Sequence, residues 1–335
     1  MYKYNIGDEQ RMRAIMIGVC AAFFFASTFV LNRMMDLDGG SWIWSASLRF
    51  LFMIPFLFMI VKMRGNTNHV YKKMKEAPLT WLGWSFVGFG LFYAPLCFAA
   101  AFGPGWLIAS SWQTTIVAGI LLTPLFYKKI HTKNGVLTVR ESIPWKGFWM
   151  STIILLGIAI MQVEHANSLG IETVMFTILP ILIACFAYPL GNRKMMEICN
   201  GELDTFQRVY GMTLASLPFW LVLSIYGYIS VGLPSLSQVI QCLIVAISSG
   251  IIATVLFFYA TDMVRGDMNK LAAVEATQSG AVVFSLIGEL VILDAPLPNI
   301  TSWIGMSLVV IGMILHSYIS NQKKKVVQDS SVSAN

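Results

Sequence analysis

Ten times along this chain the sequence runs through about 20 apolar residues nearly free of charge, the length a helix needs to cross a bilayer. The hydrophobic fraction is 56% and the charged fraction 12%, too few polar groups to cover a surface in water, so lipid is the solvent. In lipid every backbone N–H and C=O must find its partner inside the protein, which leaves helices or a closed barrel. The alternating polarity of barrel strands is missing here. The expected fold class is therefore an all-α integral membrane protein of ten transmembrane helices, at 13–35, 42–61, 79–101, 105–127, 147–163, 171–196, 205–229, 238–264, 269–291 and 302–320.

The chain also nearly repeats itself. Phe25-Ala26 precedes Asn32-Arg33-Met34-Met35-Asp36, and about 160 positions later Phe186-Ala187 precedes Asn192-Arg193-Lys194-Met195-Met196-Glu197. Arg49 is echoed by Arg208, and Phe98-Ala99-Ala100 by Phe258-Tyr259-Ala260. Five spans per copy is an odd number, so the second copy must enter from the other side, giving an inverted 5+5 structural repeat. This divides the chain into a cytoplasmic arm (1–12), a first repeat (13–163), a linking loop (164–170), a second repeat (171–320) and a cytoplasmic disordered tail (321–335).

The net charge of +6 is not spread for nucleic-acid binding. With the N-terminus inside, 20 of the 23 Lys and Arg fall in cytoplasmic segments, Arg193 and Lys194 among them, and Arg33 lies opposite. That bias places both termini in the cytoplasm. The long loops at 62–78 and 128–144 carry much of it. The five cysteines show no CxxC spacing and read as small apolar residues, so neither a disulfide framework nor a metal site is expected. The first span is too long for a signal-peptide core and reads as a retained anchor. No nucleophile elbow, P-loop or zinc-protease motif is present, the four histidines are scattered, and no enzyme and no cofactor is expected.

Polar groups inside spans are costly and point to function. Trp112, Gln113 and Thr114 in span four match Glu275 and Gln278 in span nine. Glu275 and Gln278 are three residues apart and share a helical face. Tyr93, Tyr188 and Tyr259 add aromatic surfaces able to line a cavity for an apolar or cationic solute. These eight residues form the expected substrate site, with Glu275 the coupling carboxylate, against the alternative that they are interhelical hydrogen-bonding groups. Arg49 and Arg208, matched between the repeats, could attract an anion or pair with a carboxylate, and read by preference as side chains snorkelling to the interface. Glu289 and Asp294 read as too near a span end to be central ligands. Trp42, Trp44, Trp145 and Trp303 read as belt residues. Pro55, Pro95, Pro124, Pro180, Pro189 and Pro218 fall within spans, where they permit kinks.

The run from Thr277-Gln278-Ser279-Gly280 to Gly288-Glu289-Leu290, followed by Ile304-Gly305-Met306 and Ile311-Gly312-Met313, resembles the drug/metabolite transporter superfamily in its ten-helix, EamA-like form. The topology carries the resemblance over about 310 residues. Span four departs from it, ending Leu125-Phe126-Tyr127-Lys128 without the glutamate. The sequence looks most like the multidrug-resistance efflux branch. That resemblance implies a secondary-active carrier in the cell membrane of a bacterium, exporting small organic cations, drugs or metabolites by alternating access. Small four-helix relatives use a glutamate in their first helix for proton-coupled export. No acid lies between Arg13 and Met35 here, so the role passes to Glu275. The implied partners are the bilayer, a small-molecule substrate and protons or another coupling ion, and the reading admits a homo-oligomer. Metabolite uptake or exchange (amino acid, nucleoside or choline) and a non-transporting scaffold or sensor are the alternatives.

Overall fold

A computed structural model describes residues 6–315 apart from 66, 133–134, 144, 170, 266 and 313. The chain is helical with one β-hairpin. In order it forms α1 (Ile6–Leu37), α2 (Trp42–Met63), α3 (Thr67–Glu76), α4 (Pro78–Ala100), α5 (Gly105–Trp112) and α6 (Thr114–Leu121). The strands β1 (Tyr127–Thr132) and β2 (Gly135–Arg140) follow, then α7 (Trp145–Leu169), α8 (Ile171–Cys199) and α9 (Thr205–Val231). Last come α10 (Leu236–Met263), α11 (Met268–Ala276), α12 (Gly280–Ile292) and α13 (Ile300–Gly312). Among the described residues seven helical stretches are long and apolar enough to span a membrane: most of α1, then α2, α4, most of α8, α9, α10, and Ala273–Ile292. The segments read as the fourth, fifth and tenth spans hold α5, α6, α7 and α13.

Several boundaries differ from the sequence reading. Residues 6–12 belong to α1 rather than to a separate arm, and 164–169 extend α7 rather than forming a loop. The basic loop at 62–78 contains α3, whose Val70 is buried while its lysines face outward. The loop at 128–144 contains most of the hairpin, with Tyr127 opposite Arg140. Residues 321–335 lie outside the described residues.

Local chemistry explains where helices start and turn. Ser41 accepts from Ile43 N–H at the head of α2, and Asp204 and Gln207 form a reciprocal capping box on α9. Gly232 closes α9 with φ +79°, a conformation costly for any residue with a Cβ. Pro55, Pro95, Pro180, Pro189 and Pro218 sit inside helices as expected, and Pro124 lies in a short 3-10 turn after α6.

Packing is closest where side chains vanish. A Cβ on Gly191 of α8 would collide with the backbone of Gly88 in α4, so these helices touch backbone to backbone. Elsewhere aromatics fill the interior: Phe50 stacks on Trp220 at 4.3 Å between ring centroids, joining α2 to α9. The opposite side of α9 exposes Val222, Ile225, Tyr228 and Ile229, the surface a lipid-facing helix presents.

Two helices carry π-helical turns, at Phe86–Gly90 in α4 and Ala246–Ala253 in α10. Two further segments are interrupted: α5 passes to α6 at Gln113, and α11 passes to α12 through the 3-10 turn Thr277–Ser279. Such irregular backbone is tolerated at membrane depth only where protein or a cavity surrounds it. The interruptions surround the site described next.

Candidate functional site

Among the described residues four arginines are buried, Arg11 (6% exposed) near the start of α1 and, deeper, Arg49 (2%), Arg193 (2%) and Arg208 (2%). Of these last three, two have carboxylate partners. Arg193, in α8, donates from Nε to Glu275 Oε1 at 3.0 Å and from Nη2 to Oε2 at 2.6 Å, a two-pronged pair joining α8 to α11. Its Nη1 reaches the Gly119 carbonyl at 2.6 Å, tying in α6. Arg208, in α9, pairs with Asp262 of α10 at 2.7 Å, and Thr205 also donates to Asp262.

Arg49 differs. Among the described residues no carboxylate pairs with it, and its Nε and Nη1 have no hydrogen-bond acceptor. Its guanidinium lies 4.0 Å from the Tyr93 ring centroid and 5.4 Å from that of Phe50. A desolvated cation–π contact is worth about 2 kcal/mol, whereas burying an ion costs several. The rings therefore offset only part of the cost, and Arg49 retains a positive charge with unused donors.

Arg49 is one of the residues around a small central cavity. Phe25, Thr28 and Phe29 of α1, Arg49 of α2, Phe92 and Leu96 of α4, Trp112 of α5, Tyr188 of α8 and Gln278 at the α11–α12 break line it. Its volume is ≈ 10 Å³, room for about one water, so it is closed to any organic solute in this conformation. The wall is aromatic on one side: Phe92, Trp112 and Tyr188 are mutual neighbours, with centroids 4.6 to 5.5 Å apart. Its exposed surface is almost wholly apolar, but two of its lining residues carry buried polar atoms without a partner, Tyr188 Oη and Gln278 Nε2. Buried donors of this kind cost free energy until something accepts from them.

The structure gathers part of the expected site. Trp112, Tyr188 and Gln278 line the cavity. Tyr93 stands behind Arg49, so its ring faces the protein's own cation rather than one brought by a solute. Tyr93 also accepts from Asn32 Nδ2 at 3.4 Å. Gln113 occupies the α5–α6 joint; its Nε2 donates to Ala109 O at 2.8 Å and its Oε1 is unpartnered. Thr114 begins α6 and is half-buried, and Glu275 is held by Arg193. Tyr259 is a correction: it is 42% exposed and lines a separate groove with Arg208 and Asp262. At its place in α10 it points away from the cavity that Phe258, buried beside Tyr188, approaches.

Further corrections concern charge. Arg193 is not a loop cation but a buried helical residue, and neither Arg49 nor Arg208 snorkels to an interface. Glu289, set aside as peripheral, is 1% exposed and accepts from Gly105 N–H at 2.6 Å and Trp106 N–H at 3.4 Å. It caps the start of α5 from across the fold, where unpaired N–H groups and the helix dipole favour a negative charge. Asp294 lines a groove of ≈ 570 Å³ at the same end, with Arg33 and Trp106. The sequence reading does not single out Phe25, Thr28, Phe29, Phe92 or Leu96, and it names Arg49 as able to attract an anion while preferring the interface for it. A readable signal existed for Thr28 and Asn32, polar groups set in an apolar run.

A multi-pass helical membrane protein whose interrupted helices surround a closed cavity, with unpartnered polar groups buried around it, has the architecture of a transporter. Residues 12–322 match the EmrE family, described as "Putative multidrug resistance efflux transporter", and the chain belongs to that family, within the drug/metabolite transporter superfamily. It is 58% identical over 313 residues to the uncharacterized protein YjlA of Bacillus subtilis (strain 168), covering 93% of this chain and 97% of the relative. It is 52% identical over 269 residues to an uncharacterized 42.1 kDa protein of Shouchella clausii, covering 80% of this chain and 70% of that one. A protein of known crystal structure is similar in fold, with a TM-score of 0.66 at 15% identity over 93% of this chain and 99% of its own.

Proposed function

We propose that the protein is a secondary carrier that exports small organic solutes by alternating access. On this reading ten spans form two inverted five-helix repeats (13–163 and 171–320), and the cavity between them opens to one side at a time. The π-turns of α4 and α10, about 160 positions apart like the sequence echoes, support the repeat. So do the interruptions at Gln113 and Thr277–Ser279. The observation that carries the proposal is the convergence of α1, α2, α4, α5, α8 and the α11–α12 break on one closed cavity with unused hydrogen-bonding groups.

Trp112, Tyr188 and Gln278 contact the solute, Tyr93 positions Arg49, and Gln113 and Thr114 form the joint at which α5 and α6 bend. Glu275 is the coupling group through its pair with Arg193. Neutralising Glu275 removes the charge that pairs α11 with Arg193 of α8, which links proton binding to movement of these two helices. The family description points to drug-like solutes, and the charge of the cavity narrows that class further.

The test is solute retention in efflux-deficient bacteria expressing the chain, fed dyes, amines and acids and assayed by mass spectrometry. The proposal expects lower retention of at least one solute, reversed by a protonophore. Unchanged retention of every solute, with the protein present in the membrane, would refute it.

A further inference from the structure

We infer that the central cavity selects solutes carrying an anionic head, such as a carboxylate, joined to an apolar or aromatic body, rather than organic cations. The inference rests on the carrier reading and assigns the substrate class of that same site. Three observations support it.

Arg49 is a permanent cation, 2% exposed and among the residues lining the cavity, with Nε and Nη1 unpartnered and, among the described residues, no carboxylate paired with it. The other unsatisfied atoms on that wall are donors or can donate: Gln278 Nε2 and Tyr188 Oη. The carboxylates that could receive a cationic solute are engaged, Glu275 by Arg193 and Asp262 by Arg208. An entering amine would meet an unscreened like charge in a low-dielectric site. An entering carboxylate would accept from Arg49, Gln278 and Tyr188 and cancel the buried charge. Phe25, Phe92 and Trp112 would then receive an aromatic or aliphatic body of the same solute.

Matched probes test the head group with the body held constant: indole-3-acetate, tryptamine and tryptophol, with phenylacetate and phenethylamine as a second pair. Binding is read on the purified full chain in nanodiscs by thermal shift, and movement by uptake into proteoliposomes. The acids should bind and raise the unfolding temperature, while the amines bind at least about tenfold more weakly. Arg49→Gln should weaken acid binding by about tenfold or more, and Arg49→Lys should recover part of the loss because the charge remains. The comparison of acid with amine on the unaltered protein needs no variant, so a poorly folding Arg49→Gln does not decide the matter.

Preference for the amines would overturn the inference, as would acid binding indifferent to Arg49→Gln in a folded protein, or no acid binding at all. Uptake of amines or tryptophol without acids would keep the carrier and remove the anion site. Arg49-dependent acid binding with no movement of any probe would keep the anion site and remove the carrier.

Discussion

Arg49 lies two turns into α2 and Arg208 in the first turn of α9, and both are 2% exposed. Arg208 has a carboxylate at 2.7 Å; Arg49 has two aromatic rings and a cavity. The first arrangement balances its charge within the protein and fastens α9 to α10. The second leaves a charge to be balanced by something that arrives. Burial alone does not mark a functional ion in a membrane protein; burial without a partner does.

The sharpest way to break this comparison is to remove each arginine in turn. Arg208→Leu strands Asp262 and should destabilise the protein by about 3–5 kcal/mol; Arg193→Leu, which strands Glu275, should do the same, both read by thermal unfolding in detergent. Arg49→Leu strands no carboxylate, so it should leave stability within about 1 kcal/mol of the parent, or raise it, while transport falls about tenfold or more. An Arg49→Leu protein as unstable as Arg208→Leu would make the two sites equivalent and the contrast void.

A smaller effect is expected where a fixed charge meets a helix end. Glu289→Gln keeps the shape of the acceptor but not its charge, and should cost about 1 kcal/mol by the same assay. Glu275→Gln keeps a hydrogen-bond acceptor for Arg193 but removes its charge partner, so stability should fall by about 3 kcal/mol or less. Initial rates per folded carrier should drop and lose their dependence on pH. Rates that still follow pH would remove Glu275 from the coupling step. The smallest effect belongs to Glu202, whose carboxyl is held below its ordinary range by its hydrogen bond to Lys73. That contribution is present above the unfolded carboxyl pKa and lost as pH falls through the lowered value. The pair lies in water at the end of the fold, so Glu202→Gln should leave the unfolding temperature unchanged within error at ordinary salt.

Much of the fold was legible because hydropathy and helix length are coupled by bilayer thickness. The apolar runs and the break between the spans at 79–101 and 105–127 correspond to features of the structure. The hairpin at 127–140 and the π-turns were not legible: nothing in a polar loop's composition demands a strand, and a π-turn depends on neighbours in space. The site was read by half. Trp112, Tyr188 and Gln278 stand out as large or polar groups at mid-span, but charge bias alone assigns Arg193 to the cytoplasmic end of its span. For Arg49 a sequence does not show whether a long cationic side chain reaches the interface or turns inward to meet an anion. What separates the two outcomes for Arg49 is the absence of a nearby carboxylate and the presence of Tyr93, both tertiary facts.

The central claim is that the cavity beside Arg49 is the transport path, opening to each side in turn. The direct measurement is labelling of Thr28→Cys, in a background with the five native cysteines replaced, by a membrane-impermeant maleimide applied from either face of oriented vesicles. Thr28 lines the cavity and donates to Ser249 in α10, so a label there reports the cavity itself. The account predicts labelling from both faces, slowed from each by a bound acid. Labelling from one face only, or from neither whatever solute is present, would contradict it.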